Sequence, residues 1–206
     1  MEIHTVCLEI NTHCDLRCPD CCAGVGMHRF LTHHPCGYFE TAAVHLKGID
    51  RVHLSGGEPT LHPKFAEFLP QFRELFGCRL LTMVSNGFAI ERYADLIVQH
   101  LDWLNFSDFH IRAHIPEMLR ARGLLVNIED EGAGASNFVP RIKRANGIAC
   151  TRACWRSGGF GYADGKMWGC SVAPGIEGTQ GMEPCAEWRE RLPQEKLPCA
   201  ECWFAE

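Results

Sequence analysis

The sequence predicts an α/β fold: a parallel sheet with crossover helices and a small cysteine-rich β-hairpin extension at its carboxyl end. Three observations predict it. Short apolar, strand-like runs alternate with helix-period segments from residue 6 to residue 128. A loop of three cysteines follows the first such run directly, the place where α/β sheets collect their ligands. Past residue 146 the alternation stops, and a hairpin pattern with further cysteines replaces it.

Residues 6–10, Val-Cys-Leu-Glu-Ile, read as the first strand. Residues 41–46 read as a helix leading into a second strand at 51–54. Over residues 64–76, Phe65, Phe68, Leu69, Phe72 and Phe76 recur at helical spacing and Gly77 ends the run. That aromatic stripe is read as core packing. Residues 78–84 form a third strand stopped by Ser85-Asn86-Gly87, and 91–99 a helix. Residues 103–107 and 124–128 give strands four and five. Repeated strand–helix pairs imply right-handed crossovers and a parallel sheet. Only about 130 residues separate Cys21 from Cys150, so short helices or an incomplete last βα unit are expected. Residues 129–136 read as a solvated connector.

Composition narrows the class. A length of 206 residues allows one domain plus an appendage. No apolar run approaches the ~18 residues of a membrane span, so no membrane partner is expected. The opening Met-Glu-Ile-His lacks a signal peptide's basic and apolar regions. Thirteen cysteines in such a chain argue for metal ligation in a reducing cytoplasm rather than a disulfide framework. A net charge of −5 speaks against general nucleic-acid binding. Residues 110–156 do carry eight Lys/Arg against four Asp/Glu, including Arg141, Lys143 and Arg144. We read that segment as a solvated face, with a phosphate, carboxylate or nucleic-acid contact as the alternative. His28, His33, His34, His110 and His114 read as surface or core residues. Cys7, Cys22, Cys36 and Cys78 read as small buried hydrophobes.

The chemistry sits in two motifs. Cys14, Cys18 and Cys21 stand as C-x3-C-x2-C on one tight loop. Three thiolates can hold an iron–sulfur cubane with one open iron. Zinc is the alternative, with His13 as fourth ligand, although adjacent ligands fit one tetrahedron poorly. The second motif, Ser55-Gly56-Gly57-Glu58-Pro59, closes the second strand.

Together, at this spacing, the two motifs resemble the signature of the radical S-adenosylmethionine (SAM) enzymes. The resemblance implies a shortened partial (β/α) barrel over residues 1–145. It implies a 4Fe–4S cluster on Cys14, Cys18 and Cys21 whose open iron is chelated by SAM. Gly56, Gly57, Glu58 and Pro59 would hold the SAM amino group. Ser85, Asn86 and Ser107, at strand ends, would contact its ribose or carboxylate, although an Asn-Gly turn alone accounts for residues 85–87 equally well. The chain departs from the family at Asp20, where an aromatic is usual, and lacks Gly-x-Ile-x-Gly-x-x-Glu on strand five.

Residues 146–206 resemble the twitch extension, the shorter relative of the SPASM domain. Cys154 and Cys170 flank a hairpin with an Asp-Gly turn, and Cys199-x2-Cys202 follows. These four would close the shell of a second, auxiliary 4Fe–4S cluster, with zinc as the alternative metal and Cys150 and Cys185 as alternate ligands. The expected activity is reductive SAM cleavage and hydrogen abstraction by a 5′-deoxyadenosyl radical. The electron would come from a donor such as flavodoxin or ferredoxin. Expected substrates are small molecules, amino-acid derivatives or peptide side chains. A first strand beginning almost at Met1 predicts no leader-peptide domain ahead of it. A nucleobase-modifying enzyme and a non-enzymatic iron–sulfur or zinc protein are the alternatives. Ser55–Pro59 argues against the last, since an electron carrier needs no amine clamp.

Overall fold

The computed structural model describes residues 4–18, 21, 23, 30–130, 159–168, 181–187 and 191. Cys154, Cys170, Cys199, Cys202 and the alternate Cys150 lie outside these residues, as do Cys22, His28, most of the 129–136 connector, and Arg141, Lys143 and Arg144.

Among the described residues, seven strands form one sheet in the order β5-β4-β3-β2-β1-β6-β7. They are β1 (Thr5–Asn11), β2 (Arg51–Gly56), β3 (Leu80–Ser85), β4 (Trp103–Asp108), β5 (Leu125–Asp130), β6 (Gly159–Ala163) and β7 (Lys166–Trp168). The first five are parallel and lie in chain order. Helices α1 (Cys36–Leu46), α2 (Phe65–Phe76), α3 (Ala94–His100) and α4 (Ile115–Ala121) connect them. The crossovers are indeed abbreviated, since α3 and α4 have seven residues each.

Strand alternation sorts the two faces of the sheet. Leu8, Leu54, Met83, Leu104 and Val126 stand level across β1 to β5, and all are buried. The α2 stripe read from the sequence is buried throughout, at Phe65, Phe68, Leu69, Phe72 and Phe76. Phe68 and Phe72 stack at 4.7 Å, and Phe39 of α1 meets both rings at 5.0 Å. Burying each such ring contributes roughly 1.5–3 kcal/mol. Gly77 ends α2 in the left-handed conformation at φ +58.

Other boundaries differ from the sequence reading. Helix α1 starts at Cys36, after the extended Pro35, rather than at residue 41. The helix expected over 91–99 is a 3-10 turn, Glu91–Tyr93, running into α3. Helix α4 was not expected. The Asp-Gly hairpin is present as β6 and β7, with Asp164 at φ +52 and Gly165 at φ +75. Strand β6 pairs in parallel with β1, Leu8 facing Tyr162, so the hairpin extends the main sheet. Cys78 is buried, while Cys7 and Cys36 are half-buried.

Candidate active site

All five parallel strands from β1 to β5 end at one rim, and the two motifs meet there. Thr12 and Thr32 clamp the base of the cysteine loop: the Thr12 amide donates to Thr32 O at 2.9 Å, and the Thr32 amide to Thr12 Oγ1 at 2.7 Å. Asn11 orders the entry, its Oδ1 accepting the His13 amide at 2.9 Å.

The turn after β2 is stitched to this entry by backbone bonds. Gly57 N–H donates to Asn11 O at 2.8 Å, and Glu58 N–H to His13 O at 2.6 Å. Asn11 Nδ2 donates in return to Glu58 O at 3.1 Å. Such closeness explains both glycines. A Cβ on Gly56 would stand 2.2 Å from Asn11 O, and one on Gly57 2.0 Å from His13 O. Gly56 also takes φ +134, a region closed to other residues. Pro59 then starts the 3-10 turn Pro59–Leu61, where a missing N–H costs nothing.

Glu58 is 1% exposed. Its Oε1 accepts from Thr60 Oγ1 at 2.6 Å, Ser85 Oγ at 2.8 Å and Thr60 N–H at 3.1 Å, and its Oε2 from Asn86 N–H at 2.8 Å. Burial pushes the carboxyl above the usual carboxylate range, and the bonds from Thr60, Asn86 and Ser85 pull the other way. Four donors therefore hold this carboxylate between the ends of β2 and β3.

Asn86 links that anchor to the cysteine loop. Its Nδ2 lies 2.9 Å from Asp15 Oδ1 and 3.5 Å from Cys14 Sγ. Arg112, in the loop after β4, donates to Asn86 Oδ1 at 3.1 Å and to Asp15 Oδ2 at 2.7 Å, and lies over the Phe88 ring at 5.3 Å. Cys14, Cys18 and Cys21 are half-buried, and none forms a disulfide. Burial pushes the Cys14 thiol up to about 12, so at neutral pH it keeps its proton until a metal displaces it. Leu16 N–H donates to Cys14 Sγ at 3.4 Å, and Cys21 N–H to Cys18 O at 3.3 Å. Three thiols on one short loop, with amide donors turned toward a sulfur, suit an iron–sulfur cubane, whose sulfurs take such bonds.

Cys14, Gly56, Gly57, Glu58, Pro59, Ser85 and Asn86 are thus joined in one bonded neighbourhood. Ser107 stands one strand further along the rim, at the end of β4 and level with Glu129 of β5. Asn11, Asp15, Thr60 and Arg112 belong to the same network and were not singled out from the sequence. For Asn11 and Asp15, nearness to Cys14 in the sequence is the signal that marks them. Arg112 is 97 residues from Asp15 and carried no local signal.

The family model described as the radical SAM superfamily matches residues 8–123. The chain is 28% identical over 147 residues to the GTP 3′,8-cyclase of Geobacter sulfurreducens, covering 68% of this chain and 45% of that protein. It is 28% identical over 139 residues to the enzyme of the same name from Heliobacterium modesticaldum, covering 65% and 41%. The chain thus spans less than half the length of these curated relatives. Among solved structures, BtrN in complex with AdoMet and 2-DOIA superposes with a TM-score of 0.57 at 14% identity, covering 82% of this chain and 74% of that one. Streptococcus suis SuiB bound to the precursor peptide SuiA gives 0.50 at 12% identity, covering 98% and 70%. These two likenesses concern the fold.

Proposed function

The chain belongs to the radical SAM superfamily and is an enzyme, and from that premise we propose that it cleaves SAM reductively and abstracts hydrogen from a small-molecule, amino-acid-derived or peptide substrate. The observation that carries this reading is the stitching of Gly57 and Glu58 to Asn11 and His13, which brings the second motif against the cysteine loop.

Cys14, Cys18 and Cys21 would hold the cluster. Bound there, the cluster and SAM would supply the one-electron chemistry of the reaction. The protein's work is to bind and to aim. Gly56 and Gly57 have no side chains to crowd the space beside the loop, and Pro59 fixes the turn that follows. Glu58 anchors that turn from beneath, and any share it takes in the SAM amine comes through an Oε2 that already accepts one bond. Ser85 and Asn86, then Ser107, continue the polar lining along the rim. Arg112 brings a cation to the same side of the loop, suited to a carboxylate or ribose hydroxyl.

The cysteine spacing supports an auxiliary 4Fe–4S cluster on Cys154, Cys170, Cys199 and Cys202 in a twitch-like region over residues 146–206. A flavodoxin or ferredoxin is the class of donor that supplies the electron.

Anaerobic reconstitution with SAM and a reductant tests the reading. We expect 5′-deoxyadenosine from the unaltered chain and none after Cys14→Ala, Cys18→Ala or Cys21→Ala. A triple variant that still released it would overturn the assignment. The names of the relatives favour one second reading, a purine nucleotide or nucleobase as substrate. Consumption of GTP in the same assay distinguishes the two.

A further inference from the structure

A second group of metal-ligating side chains gathers where β1, β6 and the start of α1 meet. Glu9, His34 and Asp164 each present one ligand atom, and these atoms lie within 4.8 Å of one another. Glu9 and His34 are 4% and 5% exposed. His34 Nε2 stands 3.0 Å from Glu9 Oε1. Two neighbouring ligands of one ion, each about 2.0–2.2 Å from it, stand about 3 Å apart.

The surroundings hold this arrangement. The His34 ring stacks on Tyr38 at 3.9 Å, with the planes 10° apart. The Tyr38 hydroxyl donates to Tyr162 O at 3.3 Å, tying α1 to β6. His34 O accepts His62 Nε2–H at 2.8 Å, so backbone and ring are both fixed. Because Leu8 faces Tyr162, Ala163 comes level with Glu9 and Asp164 stands one residue beyond. Asp164 is exposed, and its φ of +52 suits Asp or Asn. Turn chemistry therefore accounts for an Asp or Asn here; what it leaves over is a carboxylate oxygen within 4.8 Å of a buried carboxylate and imidazole.

We propose that Glu9, His34 and Asp164 bind one first-row divalent cation at the ends of β1 and β6, separate from the cysteine loop. One imidazole and two carboxylates suit Zn2+, Fe2+ or Mn2+. Three protein ligands leave positions for water or an anionic oxygen.

The test uses the full chain with its iron–sulfur sites reconstituted and adds Mn2+ alone, because stray thiolates prefer softer ions. Free Mn2+ is followed by its paramagnetic resonance signal. We expect about one Mn2+ bound per chain, with Glu9→Gln and Asp164→Asn each weakening binding by roughly tenfold or more. Asp164→Asn keeps a residue that tolerates the turn, so it decides the matter even where Glu9→Gln fails to fold. Absence of uptake up to about millimolar Mn2+ would overturn the site, as would unchanged affinity in Asp164→Asn.

Discussion

Glu58 shows what a single residue in this site does beyond ligand contact. The Thr60 hydroxyl and amide, the Ser85 hydroxyl and the Asn86 amide all end on its buried carboxylate. Glu58→Ala leaves those donors in a closed space, and each unsatisfied buried group costs about 1–3 kcal/mol. We expect the Ala variant to lose about 2–5 kcal/mol of unfolding free energy in a denaturant titration. Glu58→Gln keeps an acceptor oxygen and should lose less. Equal stability of the Ala variant and the unaltered chain would show that the carboxylate is no anchor. The motif was legible because its two glycines and proline are rare together. The anchoring was not, because Ser85 and Asn86 lie 27 and 28 residues away and a hydroxyl or amide carries no sign of its partner.

At the scale of elements, the chain between β1 and α1 packs His33 and His34 against His62 in the turn after β2, with His13 beside His33. His13 stacks on His33 at 3.8 Å, and His33 meets His62 edge-on at 5.3 Å. His62 Nδ1 accepts Lys64 N–H at 3.1 Å while its Nε2 faces His34 O, which selects the neutral ring with the proton on Nε2. Burial lowers His62 below the ordinary histidine value of 6.5. Burial, then His13, His62 and His34 nearby, lower His33 likewise. A depressed value means that stability is complete above 6.5. It declines as pH falls, because the unfolded chain takes up protons that the folded chain refuses. The unfolding midpoint should therefore drop between pH 7.5 and pH 5.5, and drop less in His62→Gln, which keeps a side-chain donor. A variant with the same pH slope as the unaltered chain would remove His62 from the account. His33 and His34 carry no sign of this packing in the sequence, since nothing local relates residue 33 to residue 62. Strands β1 to β5 were legible for the opposite reason: burial on one face writes an apolar period into each. The pairing of β6 with β1 was not, because parallel contact across some 150 residues leaves no local mark.

For the whole molecule the open question is how thirteen cysteines divide between metal and core. Seven lie among the described residues, none in a disulfide. Cys14, Cys18 and Cys21 form the loop at the rim, and Cys78 is buried away from it. Cys185 sits 3.5 Å from Arg191 Nη1. One three-thiolate site accounts for one cubane, so a second cluster must draw on cysteines of the carboxyl-terminal region. Their spacing selects Cys154 and Cys170 about the hairpin, with Cys199 and Cys202 from the terminus, four thiolates that close a single shell. The same four would also make a tetrahedral zinc site, so metal identity is the quantity to measure. Anaerobically prepared protein should carry roughly eight irons, two cubanes' worth. A Cys199→Ala, Cys202→Ala double variant should carry about four, all on the first loop. About four irons and about one zinc in the unaltered chain would leave the first site standing and remove the second cluster.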